Sequence, residues 1–208
     1  MNKNTIITIG RQYGSGGREV GHKLAEKLGI PFYDKELLTV AAKASGMSEE
    51  VFENYDEKPT NSLLYSLSMG TFAMGDADAA YMNLPINHKV FLAQFDAIKS
   101  VAAKGGCVIV GRCADYALMN QPHVINTFIH ADLNKRVARI MDRHGISAKE
   151  AEALIVKTDK RRANYYNFYS NKKWSAVDTY HLAVDSGAIG IDRTAELIIA
   201  FADMKEPD

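Results

Sequence analysis

The sequence predicts an α/β fold: three layers, α/β/α, with a parallel sheet between two layers of helices. Three observations predict it. Five short apolar strands alternate with stretches of helical periodicity. The strands are apolar on both faces, as strands covered from both sides are. A glycine-rich turn joins the first strand to the first helix.

The elements follow in order. Thr5–Ile9 is β-branched throughout and reads as a buried parallel strand. The turn Gly10-Arg11-Gln12-Tyr13-Gly14-Ser15-Gly16-Gly17 follows, and Val20, Leu24 and Leu28 then mark one face of a helix closed by Gly29. Ile30–Tyr33 is a second short strand, with Asp34 at its end, and Lys35–Ala44 is a helix. Residues 45–87 carry Gly46, Pro59, Gly70, Gly75 and Pro85, and read as short helices and loops inserted outside the sheet. Met69, Met74 and Met82 there are read as flexible packing. Lys89–Lys104 is helical, and Cys107–Val110 is a buried strand ending at Gly111-Arg112. Val124–Ile129 and Leu182–Val184 complete the strands. Leu133–His144, Ala148–Tyr169 and Thr194–Ala202 complete the helices.

A chain of 208 residues fits one domain, and 47% hydrophobic with 24% charged residues is ordinary globular usage. Twenty-five basic residues balance 25 acidic ones, which argues against a general nucleic-acid binder. Two cysteines, Cys107 and Cys113, are too few for a disulfide framework or a structural zinc site. No apolar run reaches the ~20 residues of a membrane span, and the N-terminus has no signal-peptide pattern. The expectation is a cytoplasmic protein with no membrane or nucleic-acid partner.

Four glycines within eight residues, directly before a helix, favour phosphate binding over a plain tight turn. Glycines let backbone N–H groups approach an anion, and the helix N-terminus favours negative charge. The expected contacts run from Tyr13 through Gly14, Ser15, Gly16 and Gly17 to Arg18. The pattern Gly-x4-Gly-Lys-Ser/Thr is not met, because Gly17 stands at the lysine position, Arg18 at the hydroxyl position and Arg11 at the first glycine. Arg18 and Arg11 are therefore expected to supply the missing positive charge as fork-shaped donors. A rival fits the same turn. Gly10, Gly14 and Gly16, with Asp34 downstream and a Tyr169-x3-Lys173 pair, also suit an NAD(P)-binding short-chain dehydrogenase. The short chain, the absence of an Asn-Asn-Ala-Gly turn and the polar run at Ser170–Lys173 count against it.

The run from Ile6 through Gly10-Arg11-Gln12-Tyr13-Gly14-Ser15-Gly16-Gly17-Arg18-Glu19 resembles the start of the cytidylate kinase-like family, a P-loop group. Ile30–Glu36, Val108–Asp115, Asp159–Tyr166 and Tyr180–Asp185 resemble its later segments in the same order. The resemblance implies a P-loop nucleoside monophosphate kinase fold with five parallel strands. It also implies an acceptor-binding lobe at residues 45–87 and a mobile lid at about residues 157–176. The implied activity is ATP-dependent phosphoryl transfer, with Mg²⁺, to a nucleoside monophosphate or similar small phosphorylated acceptor. Arg112 matches an arginine that contacts the acceptor phosphate. Lys35 stands where cytidylate kinases carry a small or hydroxyl residue against the pyrimidine.

Beside that resemblance, Lys157, Lys160, Arg161 and Arg162, interleaved with Tyr165, Tyr166, Tyr169 and Trp174, fit a basic lid whose aromatics stack on a base, or else a solvated face over packed rings. Arg161 and Arg162 join Arg18 and Arg112 as candidate catalytic charges. Asp34 and Asp115 follow strands, where ligands bind in open α/β sheets, and Asp34 is the first choice for Mg²⁺ or the acceptor. Arg136, Arg139 and Arg143 share one helix face, as phosphate contacts or plain surface charge. Cys113, beside Arg112, is read as structural. The alternative to an enzyme is a non-catalytic nucleotide- or phosphate-binding module with a degenerate loop.

Overall fold

The computed structural model describes residues 4–58 and 84–205. Met69, Met74, Met82 and most of the expected inserted lobe lie outside the described residues. Five strands form one sheet: β1 (Ile6–Arg11), β2 (Phe32–Tyr33), β3 (Cys107–Val110), β4 (Val124–His130) and β5 (Leu182–Asp185). Their order is β2-β3-β1-β4-β5, and every pairing is parallel. This order removes the dehydrogenase rival, whose β1 would lie beside β2. Here Ile9 pairs with Val110 on one side and Thr127 on the other, so β1 is central.

The side-chain alternation of the strands divides the core in two. Ile7 and Ile9, with Val108, Val110, Ile125 and Ile129, pack against Val20 and Leu24 of α1 (Gly17–Leu28) and Ile198 of α9 (Ile191–Met204). Ile6, Ile109 and Val124 point the other way, against Leu37 and Leu38 of α2 (Glu36–Ser45) and Val90, Ile98 and Val101 of α4 (Ile86–Ala102). The central strands β1 and β3 therefore bury both faces, which explains their apolar character, while the edge strands β2 and β5 are only partly buried. The short α3 (Glu49–Tyr55) is anchored by the fully buried Phe52. Cys113 opens the one-turn α5 (Ala114–Ala117).

Two further helices stand over the C-terminal edge of the sheet. α6 (Leu133–His144) is capped by Asp132, and α7 (Ala148–Ser170) by a Ser147–Glu150 capping box. They meet through Ile140, Ala151 and Ile155. The single turn α8 (Ser186–Ile189) is capped by Asp185, whose side chain accepts from the Gly187 and Ala188 N–H groups.

Candidate functional site

The glycine loop leaves β1 at Arg11 and enters α1 through Gly16. Gly14 and Gly16 have φ of 79° and 83°, in the left-handed region that favours glycine. A Cβ at Gly14 would lie 3.0 Å from the Arg136 carbonyl oxygen, and one at Gly17 would lie 2.5 Å from Arg11 Cβ. The loop fastens its own framework. The Ser15 N–H and hydroxyl both donate to the Gln12 carbonyl, at 3.2 and 2.8 Å, and the Ser186 hydroxyl donates to the Ser15 carbonyl at 2.5 Å. The Tyr13 N–H donates to Asp159 Oδ1 at 2.7 Å. The backbone N–H groups of Gly14, Gly16, Gly17 and Arg18 have no protein acceptor among the described residues. They sit at the positive end of a 12-residue helix, which is the physical requirement for holding an anion. The expected contacts at the Tyr13 and Ser15 amides are thus corrected, since both are already spent within the protein.

The arginine face of α6 braces this loop. Arg139 Nη1 donates to the Gly14 carbonyl at 2.7 Å, and Arg136 Nη1 to the Tyr13 carbonyl at 3.3 Å and Asp159 Oδ2 at 2.6 Å. Arg143 pairs with Glu19 of α1. Two carbonyls of the loop are held by guanidiniums, so its free N–H groups stay turned to the other side.

Those N–H groups open onto a cleft of about 260 Å³ between the loop, the end of β2 and α7. Arg11, Arg18, Arg112 and Arg162 converge there on Asp34, Asp56 and Glu57. Arg112 is 2% exposed and takes Asp56 in a fork, Nε to Oδ1 at 3.0 Å and Nη2 to Oδ2 at 2.8 Å. Its Nη1 donates to Asp34 Oδ1 at 3.2 Å and to the Val110 carbonyl at 3.2 Å. Gly111, Arg112 and Cys113 all have positive φ, which turns the Arg112 side chain back over the sheet edge. Glu57 is bridged by Arg11 Nη1 at 2.8 Å and Arg162 Nε at 3.2 Å. A Cβ at Gly111 would lie 2.7 Å from Glu57 Oε1, so the glycine makes room for that bridge.

Burial opposes the charge on Asp34 and Glu57. The guanidiniums outweigh it, Arg112, Arg11 and Arg18 for Asp34 and Arg11, Arg162 and Arg112 for Glu57, and hold both carboxyls below their ordinary range. Burial, and then the like charge of Arg11, push Arg162 down to about 10. Arg162 also lies 5.6 Å from the Tyr13 ring centroid.

Several expectations change. Arg18 turns away from the loop: its Nε donates to Asp34 Oδ2 at 2.7 Å, at the end of β2. Both oxygens of Asp34 are held by arginines, Oδ2 by Arg18 and Oδ1 by Arg112, an arrangement that does not support the metal role expected of Asp34. Asp115 does not line this cleft but an adjoining small cavity that shares Arg11, Glu57, Arg112 and Arg162 with it. It is buried and accepts from the Tyr166 hydroxyl at 2.5 Å, and burial raises its pKa. The tyrosines of α7 are not free to stack on a base. Tyr165, Tyr166 and Tyr169 are buried, and Tyr169 stacks on Phe91 with centroids 3.9 Å apart. Burial pushes the Cys113 thiol well above its ordinary range, as befits a structural residue. Arg161 and Lys35 are exposed at the cleft mouth.

Asp56, Glu57 and Asp159 had no role in the sequence reading, yet each carries a cleft or loop contact. The usable signal was arithmetic: buried arginines clustered at one sheet edge need buried acids nearby.

Among the described residues, no helix is long and apolar enough to cross a membrane. A solved structure of an uncharacterized protein from Eubacterium ventriosum is 31% identical, with a TM-score of 0.71, over 97% of this chain and 99% of that one. Shikimate kinase from Bacteroides thetaiotaomicron aligns with a TM-score of 0.53 at 15% identity, over 96% and 99% of the two chains. Shikimate kinase from Acinetobacter baumannii, solved with shikimate, aligns at 0.50 and 13% identity, over 98% and 96%. These two share the fold, that of kinase-like P-loop proteins. No curated protein matches the sequence significantly. The model of the cytidylate kinase-like family matches residues 6–188, and with the strand order and the glycine loop this places the chain in that family.

Proposed function

We propose that this protein transfers a phosphoryl group from ATP to a small anionic acceptor, a nucleoside monophosphate of the cytidylate type or a similar phosphorylated molecule. The observation that carries this reading is the cleft itself. Free amides of Gly14, Gly16, Gly17 and Arg18 face four arginines across one space. Phosphoryl transfer needs positioning and positive charge more than covalent chemistry. In this reading the loop holds the nucleotide phosphates and Arg112 orients the acceptor. Arg162, from the proposed lid, and Arg11 add charge at the transferring group. Arg161 joins from the cleft mouth, and Lys35 lies beside the acceptor.

The test is a coupled assay with ATP, Mg²⁺ and a panel of nucleoside monophosphates and small phosphorylated alcohols. Turnover above about 1 s⁻¹ on one acceptor, in the common range of kinases, supports the reading. One observation favours a second reading, a binding module without turnover. Gly17 replaces the loop lysine, and Arg18, its expected surrogate, is bonded to Asp34. ATP binding without transfer to any acceptor is the result that selects it.

A further inference from the structure

Two of the three carboxylates on the cleft arginines come from consecutive residues, Asp56 and Glu57, just past α3. Their geometry copies what a bound oxyanion does. Asp56 presents two oxygens to the Arg112 fork, and Glu57 places one oxygen on Arg11 and the other on Arg162. The Glu57 side chain is 8% exposed and its backbone sits at φ 50°, which residues other than glycine seldom adopt.

We propose that Asp56 and Glu57 form an acidic strap that occupies the arginine cluster in the free protein and is displaced by the phosphate of an anionic ligand. This rests on the reading of the cleft as a phosphate-binding site. Charge supports it. Within the paired cluster four guanidiniums face three carboxylates, and departure of the strap leaves Asp34 as the one carboxylate against them among the described residues. That surplus suits a dianion. The exchange is also physically easy, because a guanidinium that trades a carboxylate for a phosphate is never left unpaired in a buried place, the costly event for a buried ion pair. The anchorage of the strap is slight: Phe52 is the one buried side chain of α3. The strap makes ligand affinity a competition, so the protein discriminates for ligands with two or more negative charges and against monoanions.

The experiment uses the full chain and inorganic pyrophosphate as the probe. Calorimetry compares the natural protein with Glu57→Gln, Asp56→Asn and, as a control for simple charge removal, Glu53→Gln on the exposed side of α3. The expected result is at least tenfold tighter pyrophosphate binding for Glu57→Gln and less than a twofold change for Glu53→Gln. In the natural protein, pyrophosphate is expected to speed cleavage after Glu57 by glutamyl endopeptidase, read by mass spectrometry of the fragments, as the strap leaves the cleft. If folded Glu57→Gln and Asp56→Asn bind pyrophosphate no better than the control, the strap is purely structural and the proposal fails. Where a variant does not fold, the cleavage after Glu57 in the natural protein decides, and an unchanged or slower cleavage overturns the proposal. The two readings separate cleanly. Phosphoryl transfer without strap displacement sinks only the strap, and strap displacement without transfer to any acceptor sinks only the kinase reading.

Discussion

Replacing Arg112 by alanine removes the best-connected side chain of the cleft. The guanidinium donates twice to Asp56, once to Asp34 and once to the Val110 carbonyl. Without it, among the described residues, the Asp34 carboxylate keeps the Arg18 bond, and Asp56 keeps the Gln94 side chain at 3.1 Å. Breaking a buried ion pair from one side costs ~3–5 kcal/mol, because the partner charge stays behind unpaired. Asp56 is 23% exposed, so water recovers part of that loss, and about 3 kcal/mol is expected. For a chain of this length that is roughly 6–12 °C in Tm. Arg112→Lys keeps the charge but loses the fork, and is expected to cost about 1–2 kcal/mol. Urea unfolding at pH 7, followed by circular dichroism with unchanged slope, measures both. The double variant Arg112→Ala/Asp56→Asn tests the mechanism, since removing both partners should cost about 0.5–3 kcal/mol less than the sum of the two single changes. A loss below ~1 kcal/mol for Arg112→Ala, or strict additivity in the cycle, refutes the reasoning.

Acid should loosen the same cluster. The Asp34 and Glu57 carboxyls are held below their ordinary values of 3.8 and 4.5. Their contribution to stability is therefore complete above those values and drains away as pH falls through them toward the folded-state pKa values. The urea midpoint should drop between about pH 5 and pH 3, and Glu57→Gln should flatten that drop; a midpoint constant across the window contradicts it. Gly14→Ala forces a left-handed backbone on alanine and sets its Cβ 3.0 Å from the Arg136 carbonyl. It should cost ~1–2 kcal/mol of stability and abolish nucleotide binding in calorimetry, and an unchanged Kd for ATP counts against the loop. Arg18 is half exposed, so Arg18→Ala should cost less than ~1 kcal/mol of stability. If Arg18 swings to the phosphates during transfer, turnover should nevertheless fall ~10²-fold or more, and a loss within about threefold removes it from the charge clamp.

The fold was legible because its strands are short, apolar on both sides and punctuated by glycine. Cys107–Val110 and Leu133–His144 appear with the expected ends. Ile30–Tyr33 shrank to two residues because the Ile30 N–H is spent on the Ala25 carbonyl and Pro31, whose carbonyl accepts from the Val108 N–H, has no N–H of its own to donate. The glycine loop was legible from composition alone, and so was Arg112 as a residue at the sheet edge. What the sequence concealed is pairing at long separation. Asp56 and Arg112 are 56 residues apart, Tyr13 and Asp159 146 apart, and nothing local marks either pair. The partner of Arg18 was hidden for the same reason. Its nearest candidate partner in sequence was Glu19, but the sheet brings Asp34 to one side of α1 and α6 brings Arg143 to Glu19. The tyrosines of α7 misled because aromatics beside cations look alike whether they await a base or pack on Phe91.

The central claim is that the free amides at the start of α1 hold nucleotide phosphate. The most direct measurement is a crystal structure of the chain grown with a non-hydrolysable ATP analogue. The account predicts phosphate oxygens within ~2.7–3.2 Å of the N–H groups of Gly14, Gly16, Gly17 and Arg18, the ordinary range for such bonds. A nucleotide bound away from that loop, or no bound nucleotide alongside an absence of ATP binding in calorimetry, would contradict it.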